Sequence, residues 1–277
     1  MPLEDWIRLN RVAIFENPEL RKYVSPFPPA ELMTVVSGLT NEKDFAAHGT
    51  DIYRAVSLAS RKPLHEYDGI LDFGCGCGRF ARMLKGYQKK LSGCDIDARL
   101  INWLNKELGF MEAKVSRVTP PIPFIANEFE SVVSISIFTH LKETDQDAFL
   151  ADLYRVCRPE GRLFITVHGE RALQRALCEP AIRTMLSMDE ERFENARLAF
   201  KQQKHSFVLQ YGHLTTISPE GQLDVSGKAV SEPFEYGITF VPENYLREHW
   251  GQWFHVEEYV SGSIHDFQDM AVLIPKK

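Results

Sequence analysis

Short apolar runs alternate with amphipathic segments through the middle of the chain. Apolar runs bounded by turn residues predict strands, and apolar positions spaced three or four apart predict helices. The predicted strands are 69–73, 90–95, 113–116, 131–137 and 162–167, and the predicted helices between them are 78–86, 98–108 and 144–157. Alternation of this kind predicts a parallel sheet covered by helices on both faces.

One connection breaks the alternation. Between the third and fourth predicted strands, residues 118–124 contain Pro120, Pro121 and Pro123. Proline lacks a backbone N–H and clashes with the preceding turn of a helix, so we expect a loop here.

The two ends of the chain have different patterns. Residues 1–66 are predicted to be mostly helical, broken by prolines at 26, 28 and 29, with one helix over 49–62. After Gly169, residues 171–204 are charged and helical, and 206–240 are glycine-punctuated short strands. A helix over 241–250 and strands over 254–260 and 270–274 complete the pattern. We therefore predict a helical segment (1–66) and one main domain (67–277), with 170–240 as an insertion that acts as a lid.

The composition narrows the function classes. The formal net charge of −6 argues against a general nucleic-acid or anionic-membrane surface. Neither an apolar run long enough to cross a bilayer nor a signal peptide is visible, so we expect a cytoplasmic protein without membrane contact. The five cysteines are an odd number without metal-site spacing, which favours neither disulfides nor zinc.

A glycine-rich turn follows the first predicted strand. Residues 70–79 read Ile-Leu-Asp-Phe-Gly-Cys-Gly-Cys-Gly-Arg, which places glycines at 74, 76 and 78 behind the acid Asp72. Glycine permits unusual backbone angles and lets a ligand approach the chain closely. The dinucleotide fingerprint Gly-x-Gly-x-x-Gly requires its third glycine at position 79, where this chain has Arg79, so the pattern differs from that of NAD enzymes.

Two acids end the second predicted strand. Asp95 stands at its carboxyl end, where a carboxylate can accept hydrogen bonds from both ribose hydroxyls. Asp97 immediately precedes the next helix and is predicted to be its N-cap.

These two elements resemble motif I and the acidic loop of the class I (Rossmann-like) S-adenosylmethionine-dependent methyltransferases. The resemblance continues through residues 120–124, 129–141 and 153–163, where Glu160 replaces a glycine of the family and a type I turn is expected to accommodate it. Residues 268–274 are similar to the family's final strand. The resemblance implies a seven-stranded, mostly parallel sheet with an antiparallel last strand, and methyl transfer from S-adenosylmethionine with S-adenosylhomocysteine as product.

The resemblance also implies a cofactor site. Gly74 and Gly76 would pass under the cofactor with Asp72 supporting their loop, and Asp95 would hold the ribose. Ser116 and Arg117 would face adenine in place of the Asp or Asn of many members, and Ser136 and Ile137 would flank the methionine portion. The implied cofactor-binding residues are Asp72, Gly74, Cys75, Gly76, Asp95, Ile96, Ser116, Arg117, Ser136 and Ile137.

Two histidines are candidate catalytic bases. His140 follows the fourth predicted strand and His168 follows the fifth, at the edge of the sheet where parallel α/β proteins bind ligands. Histidine titrates near neutral pH and can take a proton from a methyl acceptor, although either ring can equally well cap a helix or hold a loop. The strand ends lack the carboxylates that hold Mg²⁺ in catechol-type enzymes, so no metal is expected.

The methyl acceptor stays open at this point. A small molecule, such as a sugar or natural-product intermediate, is the leading hypothesis, and no oligomeric state is predicted. A cofactor-binding scaffold without turnover and a different group transfer on the same fold are the alternatives. Aromatic and polar residues of the insertion are candidates to line the acceptor pocket: Phe207, Tyr211, His213, Phe234, Tyr236 and Phe240.

Overall fold

The strands form a main sheet and a separate hairpin. A computed structural model describes residues 1–214 and 234–277. For residues 211–214 it describes the backbone and not the side chains. The strands are β1 (Ile70–Phe73), β2 (Leu91–Asp95), β3 (Glu112–Val115), β4 (Phe129–Ser134), β5 (Cys157–Val167), β6 (Ser206–Leu214), β7 (Phe234–Phe240), β8 (Phe254–Ile264) and β9 (Gln268–Pro275). In the described residues the main sheet has seven strands in the order β3-β2-β1-β4-β5-β9-β8, and β6 pairs with β7.

The strand directions match the expected architecture. The β1–β2, β2–β3 and β4–β5 pairs are parallel, whereas β9 runs antiparallel to both β5 and β8. The prediction of a mostly parallel, Rossmann-like sheet with an antiparallel last strand is therefore confirmed. Because β9 is antiparallel, its first residues lie beside the carboxyl end of β5, where Asp269 pairs with Val167.

Helices precede the sheet and connect its strands. The α-helices are α1 (Leu3–Arg8), α2 (Ile14–Glu16), α3 (Ala30–Ser37), α4 (Glu42–Ala59), α5 (Ala98–Glu107), α6 (Glu143–Val156), α7 (Glu170–Cys178), α8 (Pro180–Met185), α9 (Glu190–Lys201) and α10 (Glu243–His249). A π-helical turn covers Leu9–Ala13, and 3₁₀ turns cover Pro18–Tyr23, Leu64–Glu66, Ala81–Leu84 and Trp250–Gln252. The prediction that residues 1–66 are mostly helical is confirmed.

Several local predictions can now be compared with the structure. Asp97 caps α5 by accepting the backbone N–H of Arg99, as expected. The described chain between β3 and β4 contains no helix, in agreement with its prolines. The helix expected over 49–62 begins earlier, at Glu42, because the Asn41 side chain caps it there by accepting the N–H of Asp44.

Two local predictions are wrong. The helix expected over 78–86 is reduced to the 3₁₀ turn Ala81–Leu84, because Gly78 and Gly86 adopt φ of +82° and +90°, outside the helical region. Glu160 was expected in a type I turn, whose residues have negative φ, but its φ is +61°. The glycine that the family carries at this position suits the left-handed backbone conformation found here.

The chain divides into two compact units, and each has its own core. The described part of the first unit is 1–117, and that of the second is 118–214 with 234–277. In the first, α3 and α4 pack on the glycine-rich turn through buried residues: Leu32, Met33, Phe45, Cys77 and Leu100.

The described part of the 170–240 segment has a core of its own within the second unit. Helices α7 and α9 pack against the β6–β7 hairpin through Phe193, Val208, Ile238 and Phe240. Phe240, a predicted pocket residue, is fully buried in this core. The side chains of Tyr211 and His213, and residues 215–233, lie outside the described part of the chain. The role of 170–240 as a lid stays a prediction.

Candidate cofactor site and histidine cluster

The glycine-rich turn is tied to the end of β2. The N–H groups of Gly74 and Cys75 both donate to the Cys94 carbonyl, at 2.9 and 3.0 Å, and Gly78 N–H donates to the Cys75 carbonyl at 2.9 Å. Gly76 has φ of +54°, and a Cβ added there would lie 2.9 Å from the Val36 side chain on α3. Both the backbone angle and the close packing therefore require glycine at position 76.

Asp95 braces the turn from the neighbouring strand. Its Oδ2 accepts the Gly76 N–H at 2.9 Å and its Oδ1 accepts the Asp97 N–H at 3.0 Å. A carboxylate has about four lone-pair positions, so these two bonds do not preclude ribose hydroxyls as further donors. The structure thus brings Gly76 and Asp95, two residues predicted from separate motifs, into direct contact.

Asp72 is a buried acid beneath the same turn. It is 3% exposed, and its Oδ2 has no hydrogen-bond partner among the described residues. Burial raises the pKa of the Asp72 carboxyl to about 7, while the nearby Arg79 guanidinium and a hydrogen bond from the Ala81 backbone oppose this rise. The carboxyl is therefore close to half-ionised at neutral pH.

The other predicted residues of the first unit differ in exposure. The Cys75 side chain is buried, and burial raises the pKa of its thiol, so it contributes to this edge through its backbone. Ser116 is also buried: its N–H donates to the Asp95 carbonyl at 2.9 Å, and its hydroxyl bonds to the Cys94 thiol. Ile96 is half-buried and Arg117 is exposed.

In the second unit, Ser136 lies just beyond β4 in an unusual backbone conformation. Its φ is +60°, which is uncommon for a residue with a Cβ. The Ser136 N–H donates to Thr166 Oγ1 at 2.8 Å, and its hydroxyl contacts both amide atoms of Gln268, at 2.8 and 3.1 Å. The half-buried Ile137 accepts the His140 N–H at 3.0 Å.

Gln268 and Thr166 are site candidates that the sequence reasoning missed. Gln268 is 132 residues from Ser136 in the chain and reaches it because β9 starts at the carboxyl edge of β5. The signal was available in part, since the predicted antiparallel last strand puts its first residues at this edge.

The two candidate histidines lie close together in the second unit. Their ring centroids are 6.4 Å apart, and the Tyr236 ring stacks on His140 at 4.5 Å. His168 is 3% exposed, and burial followed by the neighbouring His140 lowers the pKa of His168 to about 3. His168 is therefore neutral at physiological pH. The His140 side chain is less buried, with an intermediate exposure.

Two negative findings apply to residues 1–214 and 234–277. These residues include no group of three His, Cys, Asp or Glu side chains arranged to hold a metal ion. In the same residues, no helix has the length and apolar character required to cross a membrane.

Comparison with known proteins identifies the central segment. Residues 71–165 match the family described as "Methyltransferase domain". The matched residues include the glycine-rich turn and most of β1 to β5. Residues 71–165 are thus a methyltransferase domain, in agreement with the predicted resemblance to the class I, S-adenosylmethionine-dependent methyltransferases.

Curated relatives of this methyltransferase domain act on different acceptors. The chain is 27% identical over 124 residues to malonyl-(acyl-carrier protein) O-methyltransferase of Calditerrivibrio nitroreducens, covering 44% of this chain and 46% of that protein. It is 26% identical over 131 residues to the tRNA N(3)-methylcytidine methyltransferase Mettl2 of Drosophila melanogaster, covering 43% of this chain and 40% of that protein. The aligned region thus spans less than half the length of either relative.

Two solved structures share the fold of this chain. The PH0226 protein of Pyrococcus horikoshii OT3 aligns with a TM-score of 0.57 and 14% identity, over 88% of this chain and 96% of that one. A chain from the complex between the Haloferax volcanii Trm112 methyltransferase activator and the putative methyltransferase aligns with a TM-score of 0.51 and 14% identity, over 91% and 100%.

The residues of the first unit suit the cofactor of the family. S-Adenosylmethionine carries a ribose diol and two cationic groups, an ammonium and a sulfonium. Asp95 offers carboxylate oxygens to a diol. The Oδ2 of Asp72, which has no partner in residues 1–214 and 234–277, is a buried acceptor that favours a positively charged ligand.

Proposed function

We propose that the protein transfers the methyl group of S-adenosylmethionine to a small-molecule acceptor by direct displacement. The observation that carries this proposal is the bracing of the glycine-rich turn by Asp95 within a segment that matches the methyltransferase family. The cofactor supplies an electrophilic methyl group on a sulfonium sulfur. The chain's own task is to hold donor and acceptor in line and to accept a proton where the acceptor must lose one.

We propose the following cofactor contacts within each unit. Asp95 accepts the ribose hydroxyls, the backbone of Gly74, Cys75 and Gly76 passes beneath the cofactor, and Ile96 packs beside it. Ser116 and Arg117 face adenine: Ser116 contributes backbone atoms, because its hydroxyl is bonded to Cys94. Ser136 and Ile137 flank the methionine portion, with Ser136 held by Thr166 and Gln268.

His140 is the better of the two candidate bases. A base that works near neutral pH needs a pKa near that range, and His168 has a pKa of about 3 because it is buried. His140 is half-buried and has a ring nitrogen beside Tyr236, at the carboxyl edge of β4. We assign the proton-accepting role to His140, and to His168 the role of a neutral neighbour.

A small-molecule acceptor agrees with the charge of the chain. At a formal net charge of −6, the protein lacks the overall positive charge that holds polyanions such as tRNA. The relatives that act on tRNA and on a carrier protein provide the competing acceptor classes for the test.

The test is formation of S-adenosylhomocysteine from isotopically labelled donor, followed by mass spectrometry. Acceptor panels of small alcohols, amines and carboxylic acids are run beside bulk tRNA and an acyl-carrier protein. Label in a small molecule supports the proposal. Label in tRNA or the carrier protein overturns the acceptor class but keeps the donor, and a bound cofactor without turnover on any panel supports the scaffold alternative.

Variants of the two histidines test the base assignment. We expect His140→Gln to lower kcat about 100-fold, the low end of general-base contributions, with cofactor affinity little changed. His168→Gln should have a smaller effect on kcat, because that ring is already neutral. Full activity in both variants, measured by the same product assay, would show that proximity alone drives the reaction.

A further inference from the structure

Strand β7 is attached to the loop that follows β4. Thr239 donates its N–H to the Thr139 carbonyl at 2.9 Å and its hydroxyl to the Leu141 carbonyl at 2.6 Å. Lys142 forms an ion pair with Glu235 at the other end of the contact. Strand β7 therefore holds in place the loop that carries His140.

The position of the proton on His140 follows from its partners. His140 Nδ1 lies 2.9 Å from the Gly237 carbonyl oxygen, and a carbonyl only accepts hydrogen bonds. Nδ1 must therefore carry the hydrogen, which leaves Nε2 as the basic nitrogen of the neutral ring. Nε2 in turn lies 3.2 Å from the Tyr236 hydroxyl oxygen.

Tyr236 also fixes the plane of the His140 ring. The two rings are nearly parallel, with an interplanar angle of 17° and a centroid separation of 4.5 Å. Phe234 packs edge-on against Tyr236 at 6.3 Å. Stacking of this kind restricts rotation of the imidazole and thereby fixes the direction of Nε2.

The charged and titratable surroundings permit a single positive charge on His140. His168, 6.4 Å away, is neutral, so it adds no like charge when His140 takes a proton. Lys142 forms an ion pair with Glu235 on β7. On α6, burial is the main cause that raises the pKa of the Asp145 carboxyl.

Resting on the proposed function above, we propose that Tyr236 is a positioning residue for methyl transfer. It holds the His140 imidazole by stacking, and in the resting ring its hydroxyl donates to Nε2. When the acceptor binds, this hydroxyl turns away, and the single lone pair of Nε2 takes the acceptor's proton. The proton lost by the acceptor then resides on Nε2, and the imidazolium keeps its Nδ1–H on the Gly237 carbonyl. Strand β7 is in this way part of the proton-accepting machinery.

Two substitutions separate the stack from the hydroxyl. Tyr236→Phe keeps the ring, so kcat should stay within about threefold, while the acid limb of the kcat profile moves to higher pH because a bond that favours neutral His140 is lost. Tyr236→Leu removes both the stacked ring and the hydroxyl, so kcat should fall at least about 30-fold. The KM for S-adenosylmethionine should stay within about threefold of the wild-type value.

A matched control lies in the same unit. Tyr245 stacks on His249 at 4.9 Å and 17°, a nearly identical pair on α10. Tyr245→Leu should leave kcat and its pH profile unchanged.

Nitrogen-15 NMR of labelled histidines gives a readout that requires no turnover. We expect the wild type to show His140 protonated at Nδ1, and Tyr236→Leu to show a mixture of tautomers. An Nε2-protonated ring in the wild type, or unchanged tautomer and pH profile in both Tyr236 variants, would overturn the proposal. Failure to form product with any acceptor overturns the proposed function instead. If Tyr236→Leu does not fold, the NMR spectrum of the wild type and the pH profile of Tyr236→Phe still decide the positioning role.

Discussion

Asp72 and Asp95 show how environment gives two similar residues different tasks. Asp95 accepts two backbone N–H groups, from Gly76 and Asp97. Asp72 is buried, one of its oxygens has no partner in the described part of the chain, and its pKa is raised to about 7. The first acid is suited to hold neutral hydroxyls, and the second changes its charge near working pH.

Cofactor affinity should therefore depend on pH through Asp72. A cationic cofactor favours the ionised carboxyl, so binding below pH 7 must release a proton, and affinity should fall by up to about tenfold per pH unit there and level off above pH 8. Titration calorimetry in buffers of different ionisation enthalpy measures this proton release. Asp72→Asn should abolish the pH dependence, and an unchanged slope in that variant would contradict the assignment.

The same shift fixes the sign of a stability effect. The folded-state pKa of Asp72 lies above its ordinary value of 3.8, so its stabilising contribution is fully present below pH 4 and is lost as pH rises through about 7. At pH 8 the Asn variant should therefore unfold at a higher temperature than the wild type.

Among the secondary-structure elements, β5 contains a strained turn. The pairing of β4 with β5 shifts between Phe129 and Ser131, and the intervening turn holds Glu160 at φ +61°. The adjoining Gly161 has no room for a side chain, since a Cβ there would lie 2.7 Å from Cys157 Sγ and 2.9 Å from two carbonyl oxygens. Gly161 does not have a positive φ, so Glu160 carries the left-handed backbone of this turn.

Replacing Glu160 with glycine should stabilise the fold. The left-handed conformation costs a non-glycine residue about 1–2 kcal/mol, and the greater freedom of glycine in the unfolded chain offsets part of that gain. We expect a net gain of about 1 kcal/mol, seen in thermal unfolding as a rise of about 2–4 °C. Glu160→Ala keeps the Cβ and should give no gain; an equal rise in both variants would point to the lost carboxylate instead.

The elements were predictable where local pattern decides them. Apolar runs located β1 to β5 to within a few residues, and the cap at Asp97 follows from residue type and spacing. The helix over 78–86 was mispredicted because its glycines adopt turn conformations that periodicity does not reveal. The contacts of Ser136 with Gln268 and of His140 with Tyr236 join residues 132 and 96 positions apart, so they depend on tertiary register.

At the scale of the whole molecule, the proposed donor site and the proposed acceptor site use different parts of the chain. The segment that matches the family carries the glycine-rich turn, Asp72 and Asp95, all in the first unit. The histidine cluster and the described part of the 170–240 segment belong to the second unit. One fold can host many different functions, because function depends on the sites built on it. The match therefore supports S-adenosylmethionine as the donor, and the product assay identifies the acceptor.

The most direct test of the central claim is calorimetric titration of the full chain with S-adenosylmethionine, for the wild type and Asp95→Ala. We predict one site in the wild type and an affinity lower by about 2 kcal/mol, or about 30-fold, in the variant, because the ribose hydroxyls lose a charged acceptor. Asp97→Asn, which keeps the cap of α5, should bind within about threefold of the wild type. No binding by the wild type, or equal affinity in Asp95→Ala, would contradict the account.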